Sequence, residues 1–294
     1  MSLPSGPTLV TESSPGTETQ SSVPPSLVRQ ACENFCTALQ FLTCVPVRTR
    51  VSWDNAEAYR SAIGASLAYF PLVGALVTGI TAVAISCLIV GFPIELAVLL
   101  ALALEALLTG AFHEDALADT CDALGGGWTR DQVLSILKDS RLGTFGTLGL
   151  GLGVACRFFC LVTIADGHWW WYGVATLIAS GVLSRWAMLW VLATVTPIQD
   201  RPTQAANVSA VQARRAVVRS MVFGVPAVAP WIWIDPVGLA AALVLSAVVL
   251  ATYRWYILRR IGGSTGDLVG CCGYLVQLSV LIVAVGRCSS AVLS

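Results

Sequence analysis

Residues 94–112 read Ile-Glu-Leu-Ala-Val-Leu-Leu-Ala-Leu-Ala-Leu-Glu-Ala-Leu-Leu-Thr-Gly-Ala-Phe, and residues 113–122 continue His-Glu-Asp-Ala-Leu-Ala-Asp-Thr-Cys-Asp. The first stretch is long and apolar without alternation, so it reads as a helix able to enter a bilayer rather than as a strand. The second is where the apolar run gives way to charge. Continued as helix, it places Asp115, Asp119 and Asp122 at i, i+4 and i+7, within about 60° of one another around the axis. Like charges on one stripe repel by a few tenths of a kcal/mol per pair. A divalent cation is the simplest counter-ion. Mg²⁺ in particular takes carboxylate oxygens and shares them with substrate phosphates.

The rest of the chain fits a membrane setting. It is 56% hydrophobic and 12% charged over 294 residues, against roughly 25% charged for soluble domains. The fold class expected is all-α: a polytopic helical membrane protein, because in lipid the backbone must satisfy itself. A net charge of zero leaves no basic footprint for nucleic acid. Ten cysteines without a Cys-x-x-Cys pair, and two histidines, His113 and His168, argue against zinc.

About seven spans are expected, near residues 63–90, 94–112, 145–165, 169–193, 217–234, 237–253 and 268–287. Residues 1–28, rich in Ser, Thr, Pro and Gly, read as a disordered tail, and residues 29–294 as one integral-membrane domain. Residues 29–47 read as a surface helix stopped by Pro46. With the N-terminus inside, Arg48, Arg50, Arg60, Arg130, Lys138, Arg141, Arg201, Arg214, Arg215, Arg219, Arg254, Arg259 and Arg260 all fall on the inner side. The outer turns near Gly91, Asp166–His168 and Asp235–Pro236 hold no Lys or Arg; only Arg287 falls on that side. The hydrophilic loops 113–144, 194–216 and 254–267 then face the cytoplasm, and the chemistry is expected there. His168, beside Trp169-Trp170-Trp171, reads as part of an interfacial aromatic belt.

Three further groups carry charge toward that face. Thr129 is placed to cap a short helix running through Leu137, after Gly125-Gly126-Gly127 breaks the preceding one. Lys138 and Arg141, one turn apart, can clamp phosphate oxygens. Gly262-Gly263-Ser264-Thr265-Gly266-Asp267 opens the last span as an anion-binding turn, with Thr265 and Asp267 as substrate contacts and Asp267 also placed to join the metal set or orient a hydroxyl. Arg185 inside the fourth span is expected to serve the site, and Glu105 to pair with an intramembrane arginine, Arg157 or Arg185.

Taken in order, these pieces resemble the cobalamin synthase (adenosylcobinamide-GDP ribazoletransferase) family over roughly residues 35–288. The resemblance rests on Phe41-Leu42-Thr43 through Pro46-Val47, Phe70-Pro71-Leu72-Val73-Gly74 and Thr109-Gly110 running into His113 and Asp115. It continues with Leu117-Ala118-Asp119-Thr120 and Asp122, Lys138-Asp139-Ser140-Arg141 with Gly143 and Gly146, and Gly262-Gly263 with Thr265-Gly266-Asp267 and Gly270. Ala116 and Ala123 depart from family glycines, and Tyr274 and Gln277 from family glutamates. The resemblance implies an inner-membrane transferase in which the α-ribazole hydroxyl attacks the phosphorus beside the cobinamide arm and GMP leaves, with Mg²⁺ as cofactor and corrinoid and α-ribazole as substrates.

The residue types suit phosphoryl transfer, which needs charge neutralisation and positioning. Asp115, Asp119 and Asp122 are expected to hold the metal, Lys138 and Arg141 to neutralise the leaving phosphate, and Asp122 or His113 to take the hydroxyl's proton. Two other readings stay open. One is a CDP-alcohol-type membrane phosphotransferase, whose D-x-x-D-G-x-x-A-R pattern this chain lacks. The other is a small-molecule transporter, which the one-sided polar clusters and the absence of a repeat disfavour. Gly143, Gly146, Gly149 and Gly153 favour close helix packing, within the chain or in a homo-oligomer.

Overall fold

The computed structural model describes residues 27–47, 49, 56–198 and 208–289. Helices α1 (Leu27–Leu42), α2 (Ala56–Ser66), α3 (Phe70–Leu88), α4 (Ile94–Thr109), α5 (Phe112–Gly126) and α6 (Arg130–Ile136) are followed by α7 (Thr144–His168), α8 (Val174–Thr194), α9 (Ala210–Ile234), α10 (Pro236–Ile261) and α11 (Gly266–Ser289). Six stretches of helix are long and apolar enough to cross a membrane, and the bent pair α4–α5 makes a seventh if counted as one span. The expected all-α membrane architecture stands. The tail to residue 26, Arg48, Arg50, Arg201 and the side chain of His168 lie outside the described residues.

The second span is not the straight helix its composition predicts. Gly110 and Ala111 both adopt left-handed backbone, with φ of 66° and 53°, and both their N–H groups donate to Ala106 O. The chain therefore turns, and α5 leaves α4 at 87°. A left-handed conformation is open to glycine and costs roughly 1–2 kcal/mol for alanine. Cys44 covers the bend: its N–H donates to Leu108 O at 2.8 Å, and its Sγ would lie 2.6 Å from a Cβ on Gly110.

After the bend α5 runs back along α7 in antiparallel fashion. Glu114 meets Arg157, Leu117 packs where Gly153 lacks a side chain, Cys121 does so at Gly149, and Asp122 reaches Gly146 and Gly143. The glycine stripe of α7 is thus spent inside the chain, on α5 and on Tyr274 of α11, for Gly143, Gly146, Gly149 and Gly153 alike.

Helices α8 and α11 form the centre. In their apolar stretches 78% and 72% of residues are buried, against 22% and 28% for α9 and α10. The outer helices turn Val218, Val222, Val244 and Val248 outward, as lipid contact requires. Helices α3 and α8 cross where Gly74 meets Gly181, and a Cβ on either would sit within 2.6 Å of the other's carbonyl oxygen. Phe41 packs on Phe70 and Phe112, joining three of the sequence motifs around one aromatic contact.

The two ends of the bundle differ. At the far end the chain reverses through a wide π-helical turn, Trp169–Gly173, so α7 runs on through the turn expected at Asp166–His168. There Tyr172 Oη donates to Ala284 O, and Arg287 grips Asp235 with two 2.9 Å hydrogen bonds. Asp235 also caps α10 through Gly238 N. The carboxylate is 2% exposed, so removing it takes both of these hydrogen bonds from Arg287 and the cap from α10. Asp235→Ala is expected to cost about 2–4 kcal/mol of stability, read as a lowered unfolding midpoint in detergent with substrate turnover unchanged.

Candidate active site

All the loops singled out for chemistry meet at the other end. The Gly262–Thr265 loop is pinned by a two-bond backbone bridge, with Ser264 N donating to Thr196 O and Ile198 N to Ser264 O, both at 3.0 Å. The end of α8 is held by Arg214 Nε on Ala193 O. Helix α6 opens with the anticipated cap, here a full capping box between Thr129 and Gln132.

Asp115, Asp119 and Asp122 do share a stripe of α5. Asp115 is exposed, and Asp119 and Asp122 are half-buried. Asp267, in the first turn of α11, joins them: with Asp115 and Asp122, its charge bears on Asp119. Asp119 thus lies within the electrostatic reach of three other carboxylates, two on its own helix and one at the start of α11. Among the described residues no three His, Cys, Asp or Glu side chains converge as a closed metal-binding group. The donor chemistry still fits Mg²⁺, which binds through one or two carboxylates and keeps its remaining positions for water and substrate phosphate.

Asp122 has a second task that the spacing did not reveal. One of its oxygens accepts the N–H of Gly143 and the other that of Gly146, each at 2.7 Å. It caps the N-terminus of α7 from α5, and its charge lies where the helix dipole favours an anion. Each carboxylate oxygen accepts one backbone N–H, a structural duty beside the proton-accepting role expected of Asp122. The glycines are required by space: a Cβ on Gly146 would lie 2.1 Å from Asp122 Oδ2 and 2.9 Å from Ala118 O. Gly146→Ala is expected to break the cap, destabilise by about 1–3 kcal/mol and lower turnover. Unfolding midpoint and initial rate measured on one preparation check both.

His113 is 4% exposed and turns away from the stripe, about 180° around the helix from Asp122. It lies against Phe112 in the field of Arg185 and Arg157, with no hydrogen-bond partner for Nε2 among the described residues. Proton acceptance at the carboxylates is therefore out of its reach in this arrangement. Arg185 is 1% exposed, its Nη1 donating to Ser184 Oγ at 3.4 Å. Among the described residues it has no carboxylate in ion-pair contact, though Glu105 and Glu114 lie near enough to act on it. Glu105 pairs as expected, accepting Arg157 Nη2 at 2.6 Å and Thr81 Oγ1 at 2.6 Å.

Lys138 and Arg141 are not on a helix. Helix α6 ends at Ile136, and both residues occupy the loop that leads into α7, exposed to solvent. Arg141 closes on Asp139, with Nη2 to Oδ2 at 2.5 Å. Side-chain hydrogen bonds from Arg141, then its backbone N–H, hold the Asp139 carboxyl down at about 2. A carboxyl held low contributes its stabilisation above the ordinary carboxylate range and loses it only as pH falls through that value. At neutral pH Arg141 is thus freed by a competing anion and not by protonation.

Thr265 is also reassigned. It is 2% exposed and its Oγ1 accepts the N–H of Leu268 at 3.4 Å, so it caps α11 instead of lining a pocket. Sequence reasoning missed Glu114, which lies one residue off the acid stripe. The 100° step turns it toward α7, where Arg157 Nη1 is 3.5 Å away. It also left out Tyr274 and Gln277, both buried, whose Oη and Nε2 have no hydrogen-bond partner among the described residues.

Fold and site together define a polytopic helical membrane protein whose carboxylates gather at one end of the bundle. The chain belongs to the cobalamin-5-phosphate synthase family, whose model matches residues 34–285. The adenosylcobinamide-GDP ribazoletransferase of Shewanella woodyi is 31% identical over 268 residues, 88% of this chain and 98% of that protein. That of Leptothrix cholodnii is 34% identical over 255 residues, 84% of this chain and 93% of that protein. The ribazoletransferase of Leptospira interrogans is 36% identical over 162 residues, 55% of this chain and 59% of that protein. No solved structure matches the chain.

Proposed function

We propose that this chain transfers the cobinamide phosphate of adenosylcobinamide-GDP to α-ribazole or its 5′-phosphate. The hydroxyl oxygen of the acceptor forms a bond to the cobinamide-side phosphorus, the P–O–P bridge breaks, and GMP leaves. The observation that carries this reading is the acidic stripe of α5, on whose Asp119 the charge of Asp267 in α11 also bears, in a chain of this family. One or two of Asp115, Asp119 and Asp267 would hold Mg²⁺ there, with water and substrate phosphate completing its shell, and Asp122 would fix the neighbouring backbone. A bound cation supplies neutralisation of the diphosphate charge. Lys138 and Arg141 then meet the departing GMP phosphate, with Arg141 exchanging Asp139 for it. The hydroxyl proton passes to a stripe oxygen that carries no protein hydrogen bond, which favours Asp119 or Asp115 over Asp122. Arg185 is a fixed buried positive charge beside Ser184, in the field of Glu105 and Glu114.

The carboxylate end faces the cytoplasm in this reading. The distribution of charge supports that orientation: Arg130, Lys138, Arg141, Arg214, Arg259 and Arg260 flank that end, against Arg287 alone at the other. The membrane is then the bacterial inner membrane.

Purified protein in detergent, given adenosylcobinamide-GDP, α-ribazole and Mg²⁺, is expected to release GMP in step with corrinoid product, and a chelator to stop it. Turnover of a CDP-alcohol in place of the corrinoid substrate would overturn the reading. GMP release without a membrane gradient excludes transport as the primary activity. Turnover undiminished by chelation removes the metal from the proposal and leaves the transfer standing.

A further inference from the structure

Two arginines outside the acidic stripe each reach the C-terminal end of a neighbouring helix. Arg130 opens α6, just past the end of α5, and its Nε donates to Ile261 O, the last residue of α10, at 3.1 Å. Arg260, one residue before that end, donates from Nη2 to Gly127 O, the C-cap residue of α5. The final carbonyls of a helix have no partner within it, and cations are favoured at that negative end. Here two C-termini lie side by side near a group of carboxylates, where uncompensated negative charge would mount. The crossed arginines answer both needs. Arg260 is also steadied by Tyr256, whose ring lies 5.7 Å below the guanidinium.

The consequence lies downstream. The chain passes from Ile261 through Gly262, which takes left-handed backbone at φ 73°, into Asp267. On one side the loop is held by Thr196–Ile198 through the Ser264 bridge. On the other, the arginine pair ties the end of α10 to the end of the helix that bears Asp115, Asp119 and Asp122, beside the packing of Gly270 on Ala116. We propose that Arg130 and Arg260 form a reciprocal clasp that sets Asp267 opposite the α5 carboxylates, and that both are positioning residues for the reaction. The role in turnover rests on the function proposed above; the clasp itself does not.

The test uses full-length protein in detergent with Arg130→Met, Arg260→Met, Arg260→Lys and Asp267→Asn. Hydrogen exchange by mass spectrometry reads the clasp directly. Both Met variants are expected to lose protection over residues 261–269 while α8 keeps its own. In the kinetic arm, Arg260→Met lowers kcat about 10-fold or more with a smaller change in KM, since small misplacements at a reacting centre are costly. Arg260→Lys, still able to donate to one carbonyl, stays within about 3-fold of wild type. Adding Arg260→Met to Asp267→Asn costs little beyond Asp267→Asn alone, because the clasp acts through that carboxylate. Mn²⁺ affinity, followed by electron paramagnetic resonance, weakens in the Met variants.

Unchanged exchange over residues 261–269 in both Met variants overturns the clasp. So does a kcat loss fully additive with Asp267→Asn. Should the Met variants not fold, Arg260→Lys is set against Arg260→Gln, and equal behaviour of the two overturns it. A wild-type protein without ribazoletransferase activity defeats the functional reading alone, and the exchange data still decide the clasp.

Discussion

Asp119→Asn is expected to lower kcat on the order of 10²- to 10³-fold with the fold intact, the scale of losing one preorganised charge at a reacting centre. Asp119 is the middle carboxylate of the stripe: Asp115, Asp267 and Asp122 all act on it, and no hydrogen bond within the protein occupies it among the described contacts. Its replacement removes one charge from a crowded set, so the folded state loses repulsion and no favourable contact. Stability should hold or rise slightly. Asp122→Asn should behave differently, because an amide offers one acceptor where two N–H groups now find two. It lowers turnover and also the unfolding midpoint, by about 1–3 kcal/mol of stability. Rates and melting curves on the two variants separate the roles. Full activity in Asp119→Asn would remove the carboxylate mechanism.

Glu105→Met is expected to destabilise the protein by about 3–5 kcal/mol. Arg157 is 3% exposed and keeps only Glu114, at 3.5 Å, once its 2.6 Å partner is gone. A charge inside an apolar bundle cannot borrow water, so the cost is that of an unpaired ion. Arg157→Met should cost a similar amount, for the converse reason. The double variant is expected to be more stable than either single one, since an apolar pair of similar volume replaces a desolvated ion pair with little loss. Unfolding midpoints for the four proteins of this cycle decide it. Additive losses would mean that the two residues are not coupled as their geometry requires.

The residues that sequence reasoning placed well are those whose physics is local. An i, i+4, i+7 spacing puts Asp115, Asp119 and Asp122 on one stripe of any helix, whatever surrounds it. Thr129 three residues before Gln132 makes a cap by its own chemistry. Glu105 had to find a cation because nothing else in a bilayer would tolerate it, and Arg157 was one of two choices. Residues that were misplaced depend on what a distant segment brings. Thr265 looked like a substrate contact until α11 claimed its hydroxyl, and Lys138 and Arg141, expected one turn apart at the end of α6, lie in the loop beyond it, with Arg141 closed on Asp139.

By itself, then, the sequence determined a helical membrane protein with its charged loops at one end and an acidic stripe where the second apolar run stops. Hydropathy and helical periodicity act over a few turns and need no partner. Only the tertiary structure decided that Gly110 and Ala111 fold the second span at 87°, that α7's glycines receive α5, and that Asp267 comes within electrostatic reach of Asp119. Those outcomes are set by which backbone can approach which, across more than a hundred residues of chain in the case of Asp267. No window of sequence contains both sides of such a contact.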